Sequence, residues 1–189
     1  MGKMILASAS PRRKEIMELM GLDFTVIPSH REEIITQTEP AKIVMELSRQ
    51  KAEDVATSSE DGDIVIGSDT IVALDQNILG KPHDREDAFC MLRAMAGRTH
   101  HVYTGVTLIR CGENVPENKD TFYEQTEVHV APMTDEEINA YLDLGEYKDK
   151  AGSYGIQGYF APFITGINGD YYNVMGLPAA ALYRHLKEF

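Results

Sequence analysis

Residues 5–21 read ILASASPRRKEIMELMG. The segment begins with a short apolar run that, extended to MILAS, is typical of a buried strand, and it continues with a pattern typical of a helix. Between them, Ser10 is a predicted helix cap and Pro11 suits the first helical position. The predicted apolar stripe of the helix consists of Ile16, Leu19 and Met20. The order of strand, turn and helix predicts the building unit of an α/β fold.

The following residues continue the alternation of strand-like and helix-like patterns, without an internal repeat or a low-complexity linker. FTVIPS predicts a second strand, and a helix follows over about residues 40–56. The predicted apolar side of this helix consists of Ile43, Val44, Leu47 and Ala52. DIVIGSDTIVAL predicts a further strand, in which Gly67 indicates a bulge or the close approach of another backbone.

The second half of the chain carries helix caps and long β patterns. Asp84 is the predicted cap of a helix that ends near Ala96. Two long β runs, THHVYTGVTLIRC and TFYEQTEVHVAP, suit a hairpin around a polar turn. Thr134 and Glu137 form the capping box of another predicted helix. The last predicted elements are a strand pair that turns at residues 168–169 and a helix over residues 178–188.

The composition is that of a globular protein, with 189 residues of which 43% are hydrophobic and 25% are charged. The formal net charge of -12 argues against broad binding to nucleic acid or to an anionic membrane, because both require a positive field. No segment approaches the roughly 20 apolar residues that cross a bilayer, and the N-terminus lacks the apolar core of a signal peptide. We therefore expect a cytoplasmic protein in which Cys90 and Cys111 are reduced thiols.

The junction of the first predicted strand and helix carries Ser8, Ser10, Arg12 and Arg13. A helix N-terminus has unpaired N–H groups and the positive end of a dipole, so hydroxyls and guanidiniums placed there can form a site that suits phosphate. Positive charge in the first turn opposes the dipole by about 0.3–1 kcal/mol per residue, which indicates a compensating negative group. The alternative is that Ser10 only caps the helix and that the arginines are solvated.

Acidic side chains occur in two places that could hold a metal ion. Asp69, followed by Thr70, comes after the apolar run DIVIG, and a carboxylate at the end of a strand can bind Mg²⁺ or activate water. Glu32 and Glu33 lie in a polar loop, where ordinary solvated charge is the alternative. Asp69 is the stronger candidate because its neighbours are apolar.

Two glycine-containing fragments have the residue types of a ligand site. LGKP, residues 79–82, resembles part of a phosphate-binding loop but departs from the Walker A pattern, so a surface position for Lys81 is the alternative. GSYGIQG, residues 152–158, lacks dinucleotide-binding spacing, and its glycines indicate backbone freedom near a ligand. His100 and His101 point to opposite faces of a strand, which favours structural roles for both.

Six fragments in register resemble the Maf family of nucleotide pyrophosphatases. They are LASASPRR, EE at residues 32–33, IGSDTIV, LGKP, DKAGSYGIQG and INGDYYNVMGLP, and together they extend over nearly the whole chain. The resemblance implies a single Maf-like domain over residues 1–189. It implies an α/β fold with a two-lobed mixed sheet, flanking helices and a central cleft, similar to inosine triphosphate pyrophosphatases.

The resemblance also implies an activity. Members of the family hydrolyse nucleoside triphosphates to the monophosphate and pyrophosphate with a divalent metal, Mg²⁺ or Mn²⁺, and are usually homodimers. The fragment SYGIQG is similar to the branch that prefers dTTP and UTP, including modified pyrimidines. Hydrolysis between the α- and β-phosphorus needs in-line water and neutralisation of about four negative charges, which suits the residue types in the fragments.

The roles that the resemblance implies concern the polar residues of these fragments. Asp69 matches the family's proton acceptor, and the positions linked to substrate choice are matched by Arg12, Thr70 and Gln157. The expected catalytic residues are Asp69, Glu33 and Lys81. The expected metal ligands are Glu33 and Asp69. The expected substrate-binding residues are Ser8, Arg12, Arg13, Thr70 and Gln157.

Two other functions would use part of the same residue set. A nucleotide-binding regulator of cell division or septum formation would act through a protein partner, and its effects would persist in an Asp69→Asn protein. A nucleotidyltransferase would share the phosphate and metal residues but would need an acceptor. Release of pyrophosphate without any acceptor would count against the transferase.

Overall fold

The computed structural model describes residues 2–75, 77–112 and 118–189 of the protein. The strands are β1 (Met4–Leu6), β2 (Phe24–Val26), β3 (Ile64–Leu74), β4 (Asn77–Leu79), β5 (Thr99–Arg110), β6 (Lys119–Val130) and β7 (Ile164–Asn168). The helices are α1 (Pro11–Leu19), α2 (Pro40–Ala56), α3 (Arg85–Met95), α4 (Asp135–Asp143), α5 (Tyr171–Met175) and α6 (Ala179–Glu188). Short 3₁₀ turns occur at Ala151–Ser153 and Ala161–Phe163.

The strands form a seven-stranded mixed sheet in the order β2-β1-β3-β5-β6-β7, with β4 paired to β3. Strand β1 is parallel to both β2 and β3, and the register places Leu6 opposite Val26 on one side and Ile66 on the other. The pairs β3–β4 and β6–β7 are antiparallel. The predicted α/β class with a mixed sheet and flanking helices is confirmed.

The chain divides into two compact units, each built from several segments. The first unit consists of residues 1–69, 104–124 and 176–189, and the second consists of residues 70–103 and 125–175. None of the helices formed by the described residues is long and apolar enough to span a membrane.

Helix α2 packs closely on the sheet of the first unit. The predicted apolar side of α2 is confirmed, because Ile43, Val44, Leu47 and Ala52 are all buried. A Cβ atom on Gly67 would lie 2.2 Å from the carbonyl oxygen of Ser48 in α2. The glycine in β3 therefore allows the close backbone approach that the sequence indicated.

Aromatic residues and helix caps organise the second unit. Phe160 is fully buried, and its ring centroid lies 5.1 Å from that of Tyr141 and 4.9 Å from that of Tyr154. The predicted caps are confirmed: the Asp84 side chain accepts a hydrogen bond from the backbone N–H of Asp87, and α4 begins with a complete capping box. These bonds satisfy N–H groups that a helix otherwise leaves unpaired.

The first helix differs in two details from the prediction. Ser10 occupies the cap position of α1, but its side chain makes no capping bond. The buried face of α1 consists of Arg13, Ile16 and Met17, whereas Leu19 is 65% exposed. Because the buried face of α1 includes the charged residue Arg13, the hydrophobic pattern alone does not identify that face.

The predicted strand pair near residues 168–169 is wrong in its second half. Residues 164–168 form β7, but the chain then enters α5. The Asp170 carboxylate accepts a hydrogen bond from the N–H of Tyr172, and buried Asn173 donates to the carbonyl of Val102 and to Thr126. These polar contacts favour a helical turn over continued pairing. The predicted hairpin turn between β5 and β6 falls at residues 113–117, outside the described residues.

Candidate active site

A buried arginine marks the corner between β1 and α1. The Arg13 side chain donates from Nη1 to Ser8 Oγ at 3.0 Å and from Nε to the carbonyl oxygen of Gly176 at 2.8 Å. Ser68, in β3, donates to the same carbonyl at 3.1 Å. Ser8 follows β1, and the parallel register that places Leu6 opposite Ile66 brings Ser8 level with Ser68 inside β3. Ser8 and Arg13, two of the expected substrate-binding residues, are therefore in direct contact.

The charge of Arg13 is balanced by acids of the same unit. Burial lowers the pKa of Arg13, while the carboxylates of Asp69 and Glu33 act in the opposite direction and the neighbouring Arg12 adds to the lowering. A guanidinium keeps its proton in proteins even when buried, so Arg13 remains a cation. Asp69 and Glu33 are therefore negative groups that act on the charge of Arg13.

A lysine from α2 joins the two acids that the sequence singled out. Lys51 Nζ lies 2.9 Å from Glu33 Oε1 and also forms an ion pair and hydrogen bond with Asp69 Oδ1. The Asp69 side chain is 13% exposed and the Lys51 side chain 17%. Glu33 lies in the irregular segment between β2 and α2. The two acids, which are 36 residues apart in the sequence, thus contact the same ammonium group.

Sequence reasoning missed Lys51. It comes four residues after Leu47 and directly before Ala52, both of which are buried, so it lies at the border of the apolar side of α2. That position predicts a half-buried lysine, but it does not identify the acids that the lysine contacts. The partners come from a loop and from a strand that neither spacing nor periodicity relates to α2.

The donor set suits a divalent ion shared with a substrate. Glu33 and Asp69 offer carboxylate oxygens, and both already share one cationic group, Lys51. Mg²⁺ in proteins is often held by one or two carboxylates, with phosphate and water oxygens as its other ligands. Among residues 2–75, 77–112 and 118–189, no group of three or more His, Cys, Asp or Glu side chains could hold a metal ion. The two acids therefore form a pair that would need oxygen ligands from elsewhere.

The remaining predicted residues belong to the second unit, except Arg12, which is half-buried on α1. Thr70 directly follows Asp69 in β3. Lys81 is exposed and comes two residues after Leu79, which pairs with Val72 of β3. Gln157 is exposed in the glycine-rich loop.

The loops that carry Lys81 and Gln157 are connected within the second unit. The N–H of Gly152 donates to the carbonyl of Gly80 at 3.0 Å. The Glu146 carboxylate accepts from the N–H of Tyr159 at 2.9 Å and lies so close to Gly158 that any Cβ there would overlap it. The glycine at residue 158 is therefore required by the packing of the loop on Glu146.

Solved structures give weak matches. A dITP/XTP pyrophosphatase from Mycobacterium abscessus matches with a TM-score of 0.45 and 14% identity, covering 98% of this chain and 96% of that chain. A HAM1 protein from Coxiella burnetii has the same TM-score at 17% identity, covering 70% of this chain and 75% of that one. The family assignment depends on the sequence relatives.

Curated relatives match over the full chain. A dTTP/UTP pyrophosphatase of Agathobacter rectalis is 50% identical, covering 100% of this chain and 98% of the relative. Proteins of the same name from Lachnoclostridium phytofermentans and Bacillus cytotoxicus are 49% and 52% identical, each covering 100% of this chain and 96% of the relative. A family model described as Maf-like protein matches residues 3–189. The chain therefore belongs to the Maf-like protein family.

Proposed function

We propose that this protein hydrolyses nucleoside triphosphates, with dTTP and UTP as preferred substrates, to the monophosphate and pyrophosphate. The observation that carries the proposal is the Lys51 bridge, which holds Glu33 and Asp69 together beside a buried Arg13. The names of the relatives at about 50% identity supply the substrate class. Modified pyrimidine triphosphates belong to the same proposed class.

Asp69 is the proposed proton acceptor for the attacking water. Its side chain is mostly buried and ion-paired, so its position is fixed, as general-base catalysis requires. Glu33 and Asp69 would hold Mg²⁺ or Mn²⁺, which supplies polarisation of phosphoryl oxygens and acidification of bound water. Lys51 limits the repulsion between the two carboxylates and keeps them at one place.

Arg12, Arg13, Ser8 and Lys81 are the proposed phosphate ligands. Arg13 is held on two sides by Ser8 and the Gly176 carbonyl, so its cationic plane is fixed before any substrate arrives. Positioned cations that offset charge in the transition state lower the barrier without a reorganisation cost at that moment. Lys81, in the second unit, receives its phosphate role from the family resemblance.

Thr70 and Gln157 are the proposed determinants of substrate choice. An amide both donates and accepts, which suits the O4 and N3–H edge of thymine or uracil. Gln157 is exposed in its loop, where it can contact an incoming base.

We also propose that the protein is cytoplasmic and that it is a homodimer. Light scattering coupled to size-exclusion chromatography tests the homodimer by the molar mass in solution.

The direct test compares the wild-type protein with Asp69→Asn on dTTP. We expect equal amounts of dTMP and pyrophosphate from the wild type and a turnover at least about 100-fold lower in the variant, since a positioned base contributes on that scale. Asp23→Asn is the matched control, because Asp23 is an exposed aspartate of the same unit. Wild-type turnover in Asp69→Asn would contradict the role of Asp69.

A substrate panel tests the role of Gln157. We expect Gln157→Ala to lose more turnover on dTTP and UTP than on CTP, because cytosine has an amino donor and an unprotonated ring nitrogen where thymine and uracil have the O4 acceptor and the N3–H donor. GTP and 7-methyl-GTP complete the panel as purine nucleotides. An equal loss on every nucleotide would assign Gln157 to the phosphates or to loop structure instead.

A further inference from the structure

Besides Lys51, which pairs with Glu33, and Lys42, which pairs with Glu39, three side chains of α2 bind the irregular segment that carries Glu33. They are Glu46, Gln50 and Asp54, which are spaced by four residues and therefore lie in one row on the helix. The segment, residues 27–39, connects β2 to α2 and has no regular structure. We call these three side chains the α2 row.

The two ends of the α2 row hold the segment on either side of Glu33. Asp54 accepts hydrogen bonds from Ser29 Oγ at 2.8 Å and from the N–H of His30 at 3.2 Å. Glu46 accepts from the N–H of Thr36 at 2.9 Å and from its hydroxyl at 2.5 Å. Both carboxylates have lowered pKa values, chiefly because of the Ser29 and Thr36 hydroxyls.

Gln50 holds the middle of the segment through both of its amide atoms. Its Oε1 accepts from the N–H of Ile34 at 3.0 Å, and its Nε2 donates to the carbonyl of Ile34 at 2.6 Å. Ile34 directly follows Glu33, and Gln50 directly precedes Lys51. The two bonds of Gln50 therefore fix the register in which Glu33 meets Lys51.

Packing contributes little to the order of this segment. Residues 30–39 are all exposed, and Ile34 and Ile35 are 54% and 56% exposed. Hydrogen bonds and the ion pair to Lys51 must therefore supply most of the restraint that burial gives to other parts of the chain.

We propose that Gln50 is a positioning residue that sets Glu33 against Lys51 and Asp69, with Glu46 and Asp54 as anchors on either side. Gln50 acts through the backbone of Ile34 and needs no contact with substrate. The proposal rests on the role given to Glu33 in the proposed function. Replacing a residue that orients a metal-binding side chain typically lowers the metal affinity by about 10- to 100-fold.

The first experiment measures hydrogen exchange in the segment. We expect Gln50→Ala to accelerate amide exchange at Ile34 and its neighbours by at least about 10-fold, because the amide loses its acceptor. Gln37→Ala is the matched control, since Gln37 lies in the same segment and its side-chain amide donates to the hydroxyl of Thr36 and not to Ile34. Wild-type exchange at Ile34 in Gln50→Ala overturns the proposal.

The second experiment measures turnover of dTTP against Mg²⁺ concentration. We expect Gln50→Ala to raise the half-saturating Mg²⁺ concentration by about 10-fold, and Gln50→Glu, which keeps an acceptor for Ile34, to lie between Gln50→Ala and the wild type. Urea unfolding of each variant accompanies the assay. Faster exchange with unchanged Mg²⁺ dependence overturns the positioning role.

A double-mutant cycle separates this proposal from the proposed function. If Gln50 acts through Glu33, Gln50→Ala does not change the half-saturating Mg²⁺ concentration further in a Glu33→Ala background. If the two substitutions raise the half-saturating Mg²⁺ concentration additively, the proposal is overturned. Wild-type Mg²⁺ dependence in Glu33→Ala alone overturns instead the metal role of Glu33, and the exchange result at Ile34 still reports whether Gln50 orders the segment.

Discussion

Lys51 forms ion pairs with both Glu33 and Asp69, and this contact accounts for how an exposed carboxylate and a mostly buried one stay together. Carboxylates at one site repel each other unless a cation lies between them. The ammonium group supplies that cation from the protein itself, so the acids are in position without any ligand. At the scale of single residues, Lys51 is thus as important to the account as the acids.

Replacing Lys51 by methionine keeps the length of the side chain and removes the charge. We expect turnover of dTTP to fall at least about 10-fold, because the two carboxylates would repel each other and separate without the ammonium group. Lys42→Met is the control, since Lys42 is an exposed lysine of the same helix that is paired with Glu39 at 3.0 Å. Equal turnover in the two variants, measured under saturating Mg²⁺, would show that the bridge has no catalytic consequence.

At the scale of elements, α2 connects the core to the site. One side of the helix packs on the sheet, where Gly67 and Gly105 let the backbones approach, and the α2 row and Lys51 hold the segment with Glu33. A shift of α2 away from the sheet would therefore move Lys51 and the α2 row together.

The Gly67→Ala substitution tests the contact between α2 and β3. The added methyl group would lie 2.2 Å from the Ser48 carbonyl oxygen and 2.8 Å from Ala52 Cβ, so α2 must move. We expect the free energy of unfolding to fall by about 3 kcal/mol, at the upper end for overpacked cores. In Gly80→Ala nothing lies within 4 Å of the new atom, and the loss should stay below about 0.5 kcal/mol. Similar urea midpoints for both variants would contradict the close approach.

The sequence predicts elements well where local chemistry determines them. The caps of α3 and α4 and the apolar side of α2 follow from residue types and periodicity. The inward face of α1 and the helix α5 do not, because Arg13 binds a carbonyl 163 residues away and Asn173 binds β5. The role of Lys51 is not predicted for the same reason, since its partners come from a loop and a strand that meet α2 only in the folded protein. The predicted roles of individual residues depend on the family resemblance and not on periodicity.

At the scale of the whole molecule, stability should depend on pH through a buried histidine. His100 is fully buried, and its Nε2 lies 2.7 Å from the Tyr154 hydroxyl. Burial lowers its pKa to about 4, with smaller contributions in the same direction from His101 and His129. The structural role that the sequence favoured for His100 is consistent with this environment.

The sign of this effect follows from proton uptake. Between the ordinary pKa of about 6.5 and the folded value of about 4, the unfolded chain binds a proton at His100 that the folded chain does not, so stability falls as pH falls. We expect the contribution to total about 3 kcal/mol over that window. We expect urea unfolding at several pH values to show that the free energy of unfolding depends less steeply on pH in His100→Gln than in the wild type. His30→Gln, at an exposed histidine, is the control and should keep the wild-type slope. An unchanged slope in His100→Gln would contradict a neutral buried His100.

In the proposed reaction, water attacks the α-phosphorus of a pyrimidine nucleoside triphosphate in the site around Asp69. Hydrolysis of dTTP in water labelled with heavy oxygen tests it most directly, because the label stays on the phosphorus that is attacked. We predict that mass spectrometry finds the label in dTMP and that pyrophosphate is unlabelled. Label in pyrophosphate, or release of dTDP and phosphate, would contradict the account.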